Sequence, residues 1–274
     1  MKSAAMFAGV FLIVALPSLG VPATSGAQTL ADAAPTFTLA ASQLPQPTGP
    51  PPTPRHTGFK AMLKSLGRDV KALPSKENLY WTLTGGGLAL AVHPADDNVN
   101  EFFIDNRLAS DIFRPGAVLG NVVPWVGSIT TYAWGRLADK PRVSHVGTDL
   151  IEAQVIAAGL TQGLKYATRR ERPDGSGATS FPSGHASSTF AFATALERHL
   201  GWRYAVPAYV FASYVAASRL PANRHWLSDV VFGAAVGIIA GRTVTSNEVQ
   251  PFPVAVGRVP GGVIVTYSPA RFNR

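Results

Sequence analysis

The stretch HASSTFAFATALERH, residues 185–199, is one of six apolar segments that decide the fold class of this chain. We interpret it as a helix, because it is apolar over several turns and contains no glycine or proline. Many alanines and glycines in these segments would let helix backbones approach closely. The sequence therefore predicts an all-α bundle of about six core helices, the others covering residues 79–93, 116–138, 150–167, 204–218 and 225–243.

The composition indicates a folded chain rather than a disordered one. Of the 274 residues, 46% are hydrophobic and 15% are charged, against about 25% charged in an average protein. This apolar content is enough for a sizeable core, and a disordered chain would lack it. The formal charge is +8. Cysteine is absent, which excludes disulfides, a thiol nucleophile and cysteine-ligated metal sites.

The lengths of the apolar segments bear on whether the bundle is soluble. A membrane span needs about 20 predominantly apolar residues. Among the six segments, only the one at 115–135 reaches this length without Lys, Arg, Asp or Glu. The mean hydropathy is only +0.14. We therefore expect a water-soluble helical domain rather than a six-span membrane bundle, with a membrane-embedded bundle as the alternative.

The first 57 residues differ from the rest in composition. Lys2, an apolar run over 6–16 and small residues up to Ala27 are typical of a secretory signal peptide over 1–27, with an uncleaved anchor as the alternative. Residues 28–57 are rich in proline, which favours extended geometry and predicts a disordered tether. We expect the protein to be exported to the periplasm or cell envelope.

Two further segments flank the core helices. Phe59, Met62, Leu63, Leu66 and Val70 recur at helical spacing with basic residues between them, which predicts an amphipathic helix over 59–71. Such a helix packs on its domain or lies on an anionic membrane surface, and packing is the preferred interpretation. The helical domain should cover 58–248. Within 249–274, two β-branched runs around a Pro-Gly turn predict a short hairpin that caps the domain.

The first cluster of candidate site residues is KYATRRERP, residues 165–173. Lys165 and Arg172 are two helical turns apart and would project from one helix face before Pro173 ends the helix. An ammonium and a guanidinium aimed at one place suit a tetrahedral oxyanion such as phosphate. Arg169 and Arg170, like Arg224 further on, are interpreted as solvated surface residues rather than as steering charges.

The second cluster is SFPSGH, residues 180–185, which opens a predicted helix. Ser183 is a plausible N-cap, and Gly184 allows a ligand to approach the backbone closely. Free N–H groups at a helix start bind anions, and His185 can exchange a proton near neutral pH. The alternative is an ordinary capped helix with an incidental histidine.

The third cluster is SRLPANRHWLSD, residues 218–229. His225 and Asp229 are four residues apart and would share a helix face, where the carboxylate could fix the imidazole tautomer. A histidine nucleophile needs this arrangement, although an ordinary surface ion pair has the same spacing. Arg219 adds a second guanidinium from the preceding loop.

Together the three clusters resemble the type-2 phosphatidic acid phosphatase superfamily, which includes bacterial acid phosphatases and vanadium haloperoxidases. The family pattern of Lys-x6-Arg-Pro, Pro-Ser-Gly-His and Ser-Arg-x5-His-x3-Asp is complete and in order over residues 165–229. The resemblance implies an active site at helix ends and a phosphatase reaction through phosphohistidine. By matching positions, His225 would be the nucleophile, Asp229 would orient it and His185 would be the acid and base. The phosphate oxygens would be held by Lys165, Arg172, Ser183, Gly184 and Arg219.

The resemblance does not identify the leaving group of the phosphatase reaction. Small phosphomonoesters, lipid phosphates and polyprenyl pyrophosphates are all compatible with the motifs, with peripheral membrane contact in the lipid cases. No metal or other cofactor and no nucleic acid partner are expected, and vanadate should inhibit as a transition-state mimic. The rival interpretations are a vanadate-dependent haloperoxidase and an envelope protein that binds phosphate or anionic lipid without turnover. The oligomeric state is left open.

Overall fold

The structure is a computed structural model that describes residues 58–104 and 106–246, together with the backbone of 254–259 and 262–267. The predicted signal peptide and tether lie outside the described residues. The helices are α1 (Phe59–Ala72), α2 (Lys76–Val92), α3 (Asp96–Ile104), α4 (Arg107–Leu137), α5 (Pro141–Thr168), α6 (Gly184–Leu200), α7 (Trp202–Ser218) and α8 (Leu227–Val244). The short 3₁₀ helix His93–Ala95 joins α2 to α3.

The predicted core helices are confirmed as α2 and α4–α8, but α4 and α5 each begin nine residues earlier than the sequence indicates. Helix α4 begins at the Asn106 cap, whose side chain accepts a hydrogen bond from the Ala109 N–H at 2.9 Å. It then continues through Pro115 and Pro124, and Pro115 lies just before the start predicted at residue 116. Helix α5 likewise begins at Pro141, in the first turn, where a proline is tolerated. Helix α3 was not predicted.

Helix α8 lies at the centre of the bundle and packs closely on α6 through glycines. A Cβ atom on Gly233 would lie 2.6 Å from the Ser183 carbonyl oxygen, and one on Gly237 would lie 2.4 Å from that of Ser187. The two backbones therefore touch because these residues lack side chains. This contact brings the start of α6 beside the start of α8, where the Ser183 N–H donates to the Asp229 carbonyl at 3.0 Å.

Two apolar clusters hold the remaining helices against this pair. One joins α2, α3, α4 and α7 to α6 and α8 and includes Phe103, Phe113 and Phe190. The other joins α5 and α6 to the end of α8 and includes Leu150. Burial of each large aliphatic or aromatic side chain in these clusters contributes about 1.5–3 kcal/mol of transfer free energy to the stability of the fold. The clusters fix the helix ends that carry the predicted site residues.

The amphipathic helix at 59–71 is confirmed as α1, but it does not dock through its whole apolar stripe. Leu66 packs on the second cluster, whereas Phe59, Leu63 and Val70 remain exposed. The buried contact is polar instead: Asp69 is 2% exposed, and the Ser65 hydroxyl donates to the Glu152 carboxylate of α5. The preferred interpretation, an apolar stripe packed on the domain, is therefore only partly right.

The outer surfaces of α2, α4 and α7 are apolar, which argues against the expectation of a water-soluble domain. Exposed patches of this extent mark contact with lipid or with another protein. Helix α4 has 31 residues and is about 46 Å long, long enough to cross a bilayer. The exposed side chains include Leu79, Tyr80, Leu83, Leu88 and Leu90 on α2, Val118, Leu119, Val122, Val126, Ile129 and Trp134 on α4, and Trp202, Tyr204, Val206 and Val210 on α7.

By length and hydropathy, α8 is the helix that most resembles a membrane span among the described residues. Within the described ranges, only Leu227–Val244 combines the length and apolar character of a membrane span, and 94% of it is buried inside the bundle. By itself this is weak evidence of a span, because the core helix of a soluble protein has the same character. The apolar outer faces of α2, α4 and α7 are the stronger observation.

The backbone of the C-terminal segment forms strands β1 (Val254–Val259) and β2 (Gly262–Tyr267). They pair antiparallel with each other, Val254 lying opposite Tyr267. The role of this segment as a cap on the domain stays a prediction. The confirmed part of the predicted fold class is the helical bundle.

Candidate active site

All of the predicted site residues lie at one end of the bundle. Lys165 belongs to the last turn of α5, and Ser183 and Gly184 open α6. Arg219 follows α7, His225 precedes α8 and Asp229 lies in the first turn of α8. Close packing of α6 on α8 therefore brings together residues that are up to 64 positions apart in the chain.

Lys165 and Arg172 meet, but not on one helix face as predicted. Helix α5 ends at Thr168, and Arg169 takes a left-handed conformation with φ of 48°, so Arg172 lies in the following loop. The loop folds back: the Arg172 Nη2 donates to the Thr179 hydroxyl at 3.1 Å, and the Lys165 Nζ donates to the Thr179 carbonyl. A folded loop, rather than helical periodicity, places both cations together.

The electrostatics of Lys165 indicate a crowded cationic site. Burial, and then the Arg172 guanidinium, lowers the pKa of Lys165 to about 8, while the Asp229 carboxylate opposes this shift. A buried cation with a neighbouring cation is stabilised when an anion binds between them. The site is therefore suited to a negatively charged ligand.

Ser183 caps α6 as predicted. Its side chain accepts from the Ala186 N–H at 3.5 Å, and the residue is fully buried. A Cβ atom on Gly184 would meet nothing nearer than the Thr161 methyl at 3.7 Å, so the described protein itself leaves room for a side chain there. Helix starts with free N–H groups bind anions.

His185 faces α4 as well as the other site residues. Its Nε2 lies 2.9 Å from the Ala117 carbonyl oxygen, and Gly120 of α4 leaves the space for its ring. Burial, and then the positive charge of Arg219, lowers the pKa of His185 to about 4. His185 is therefore neutral at pH 7 before an anion binds.

Arg172 and Arg219 each bury a donor that has no partner. Their Nε groups are buried, and neither makes a hydrogen bond to any part of the chain that the structure describes. Arg219 is 7% exposed, and burial, with smaller effects of Arg224 and Arg172, lowers its pKa to about 10. A buried charged donor without a partner is costly, and a bound oxyanion would satisfy both groups.

His225 and Asp229 lie together, but the carboxylate does not bond directly to the imidazole. His225 lies before α8 rather than on it, and its Nδ1 is 2.7 Å from the Ser180 carbonyl oxygen and 3.8 Å from the Asp229 Oδ2. Ser180 links the two residues, because its hydroxyl donates to the Asp229 Oδ2. With Nδ1–H bonded to the carbonyl, Nε2 is the nitrogen with a free lone pair. Burial lowers the pKa of His225, which favours this neutral form.

The expectation that Arg170 is a solvated surface residue is wrong. The Arg170 Nη1 donates to the Asp229 Oδ1 at 2.7 Å, and its Nη2 donates to Asp96 at 2.8 Å. Arg224, by contrast, is 45% exposed in its side chain and pairs with Asp174, in agreement with a surface role. In the sequence, only its position between Lys165 and Arg172 connects Arg170 with the site. Its acidic partners could not be recognised, because they are remote in the chain.

Comparison with known proteins finds a related family over the part of the chain that carries these residues. Residues 146–249, which include all three clusters, match the family model of the PAP2 superfamily. The predicted resemblance to this superfamily is confirmed over this segment.

Two individual relatives are similar to the chain. The lipid A 1-phosphatase of Porphyromonas gingivalis is 33% identical over 174 residues, which are 61% of this chain and 38% of that protein. The chain thus spans well under half of the length of this relative. A transmembrane PAP2-type phosphatidylglycerolphosphate phosphatase from Bacillus subtilis aligns with 65% of this chain and all of its own, with a TM-score of 0.44 and 22% identity.

Proposed function

We propose that this protein is a membrane-associated phosphatase of the cell envelope that removes phosphate from a phosphorylated lipid. The observation that carries the proposal is the pair of buried, unpartnered guanidinium Nε groups of Arg172 and Arg219, of which Arg219 acts electrostatically on both His185 and His225. Together with Lys165 they supply three positive charges around one point. Phosphoryl transfer requires mainly such positioning and charge stabilisation of the equatorial oxygens.

In the first step, His225 Nε2 attacks phosphorus while the bond from phosphorus to the lipid oxygen breaks. His185 donates its proton to the departing oxygen, so that the lipid leaves as an alcohol. The phosphoryl group remains on His225 as phosphohistidine. Ser180 fixes the imidazole in the reactive tautomer, because its carbonyl oxygen accepts from Nδ1 at 2.7 Å.

In the second step, the neutral His185 takes a proton from water as the water oxygen attacks phosphorus. The phosphorus–nitrogen bond breaks, inorganic phosphate leaves, and both histidines return to their starting states. Lys165, Arg172 and Arg219 hold the non-bridging oxygens throughout, with the Ser183 hydroxyl and the N–H of Gly184. No step requires a metal, because these cations supply the charge stabilisation.

The lipid character of the substrate rests on helix α4. The Ala117 carbonyl of α4 contacts His185 at 2.9 Å, and the next residue, Val118, is 66% exposed on the apolar outer face. One turn further on, Val122 is exposed on the same helix. The candidate general acid therefore lies against the helix whose outer surface suits lipid chains, and a lipid phosphate can reach it from the membrane.

The first experiment compares dioctanoyl phosphatidic acid in detergent micelles with p-nitrophenyl phosphate, using the full chain with EDTA present. We expect kcat/KM to be at least about 100-fold higher for the lipid, because its chains add apolar binding energy. Vanadate should inhibit both reactions. Equal turnover of the two esters would contradict the lipid assignment, and activity that requires added divalent metal would contradict the mechanism. If neither ester reacts, bromide oxidation with vanadate and peroxide tests the haloperoxidase alternative.

A second prediction concerns pH. Because burial and Arg219 lower the pKa of His185 to about 4, its protonated form becomes rarer as the pH rises above that value. We expect kcat/KM, which reports the free enzyme, to fall with rising pH on the acid side of neutrality. The corresponding fall in kcat should occur at higher pH, because bound phosphate offsets the cations that lower this pKa.

The matched control for the pH profile is His185→Gln, in which both alkaline limbs should disappear. Measurement of kcat and kcat/KM from pH 4 to 9 on the lipid substrate decides the point. Identical alkaline limbs in the wild type and this variant would show that another group, or the substrate phosphate, is responsible.

A further inference from the structure

The Asp229 carboxylate is held by a set of groups that extends beyond the family motifs. Its Oδ2 accepts from the Trp226 N–H at 3.0 Å and from the Ser180 hydroxyl, and its Oδ1 accepts from the Arg170 Nη1 at 2.7 Å. Asp229 is fully buried. Since the Ser180 carbonyl fixes His225, the position of Asp229 is transmitted to the nucleophile through Ser180.

Arg170 bridges two buried carboxylates. Besides Asp229, its guanidinium donates to the Asp96 Oδ2 at 2.8 Å through Nη2 and to the Ser228 hydroxyl at 2.7 Å through Nη1. The guanidinium carbon lies 5.6 Å from the centre of the Trp226 ring, within the range of a cation–π contact. The planar fork of arginine can satisfy both acids at once, which a lysine ammonium cannot do.

Asp96 anchors this bridge from the other side. Its Oδ1 accepts from the Ser228 N–H at 2.9 Å, and its Oδ2 accepts from the Ser228 hydroxyl at 2.6 Å. Burial by itself would raise the pKa of Asp96, but hydrogen bonds from Ser228, His93 and Arg170 outweigh it and lower the pKa. Asp96 is thus a buried carboxylate at the start of α3 that ties the first turn of α8 to Arg170.

We infer that Arg170 is a positioning residue for the reaction and that Asp96 holds it in place. Among the described residues, the hydrogen bonds of the Arg170 side chain go to Asp96, His93, Ser228 and Asp229 rather than to the Lys165, Arg172 and Arg219 cradle. Arg170 balances the charges of the two acids and fixes Asp229, which in turn fixes Ser180 and His225. This inference rests on the proposed phosphatase function.

The test uses Arg170→Gln, Arg170→Lys and Asp96→Asn, with Arg169→Gln as the matched control. Arg169 is the preceding, exposed arginine. We expect Arg170→Gln to lower kcat about 100-fold with KM and the vanadate inhibition constant changed less than 2-fold, because the phosphate cradle is intact. Arg170→Lys should fall between this variant and the wild type, and Asp96→Asn should lose about 10-fold. The control should behave like the wild type.

Rescue separates positioning from a general loss of structure. In Arg170→Ala, millimolar methylguanidinium should restore kcat at least about 10-fold, whereas methylammonium should not, since only the planar cation can bridge both acids. Arg170→Lys and Asp96→Asn provide the same kinetic comparison if the alanine and glutamine variants do not fold. A wild-type kcat in Arg170→Gln, or a rise in KM and in the vanadate constant with kcat unchanged, would overturn the inference. Absence of turnover in the wild type would remove the proposed function itself.

Discussion

Replacement of His225 by glutamine is expected to lower kcat about 10⁵-fold on the lipid substrate. The glutamine amide can still donate to the Ser180 carbonyl, which His225 approaches at 2.7 Å, so the surrounding structure is preserved. It cannot attack phosphorus, because an amide nitrogen has no available lone pair. The remaining rate would come only from the phosphate cradle.

The measurement is turnover together with trapping of the intermediate. Wild-type protein quenched in alkali after mixing with ³²P-labelled substrate should carry label, and the His225→Gln variant should carry none. His145→Gln, at the far end of the bundle beside Asp149, is the matched histidine control and should keep full activity. Alkali-stable label on the His225→Gln variant would show that another residue is the nucleophile.

Replacement of Gly237 by valine is expected to destabilise the fold by about 4 kcal/mol or more. The first atom of any side chain there would lie 2.4 Å from the Ser187 carbonyl oxygen and 2.8 Å from the Ala191 nitrogen, both in the α6 backbone. Backbone cannot move aside as a flexible side chain can, so α6 and α8 must separate. Their separation would also move His185 away from Asp229.

The matched control is Gly159→Val on the exposed surface of α5, where a Cβ atom meets nothing within 4 Å. Valine is a slightly better helix former than glycine, so this control should be neutral or slightly stabilising. Thermal unfolding of the two variants in the same detergent gives the comparison. A destabilisation of 1 kcal/mol lowers the melting temperature by about 2–4 °C in a chain of this size. A melting temperature of Gly237→Val within about 3 °C of the control would therefore show that α6 and α8 do not pack as described.

The fold was predictable from local pattern to the level of element type. Periodicity located the amphipathic helix at 59–71, and apolar content located the six core helices, because both are local properties of a segment. The predicted start of α4 was wrong, because the predicted segment began after Pro115, whereas the helix begins at Arg107, runs through Pro115 and Pro124 and packs against α6 and α7. The apolar outer faces of α2, α4 and α7 were not visible in the sequence, because the number of charges in a segment does not show which faces of its helix remain exposed.

By itself, the sequence determined the chemical groups of the candidate site. The three clusters contain every residue proposed to touch phosphate, because spacings of a few residues within a motif are visible in the chain. Only the tertiary structure decided how these groups are held. Lys165 and Arg172 meet through a folded loop, and Asp229 reaches His225 through Ser180. Asp96 lies 74 residues from Arg170 and 132 from Ser228, and no local pattern connects them, because their hydrogen bonds depend on the packing of α3 against α8.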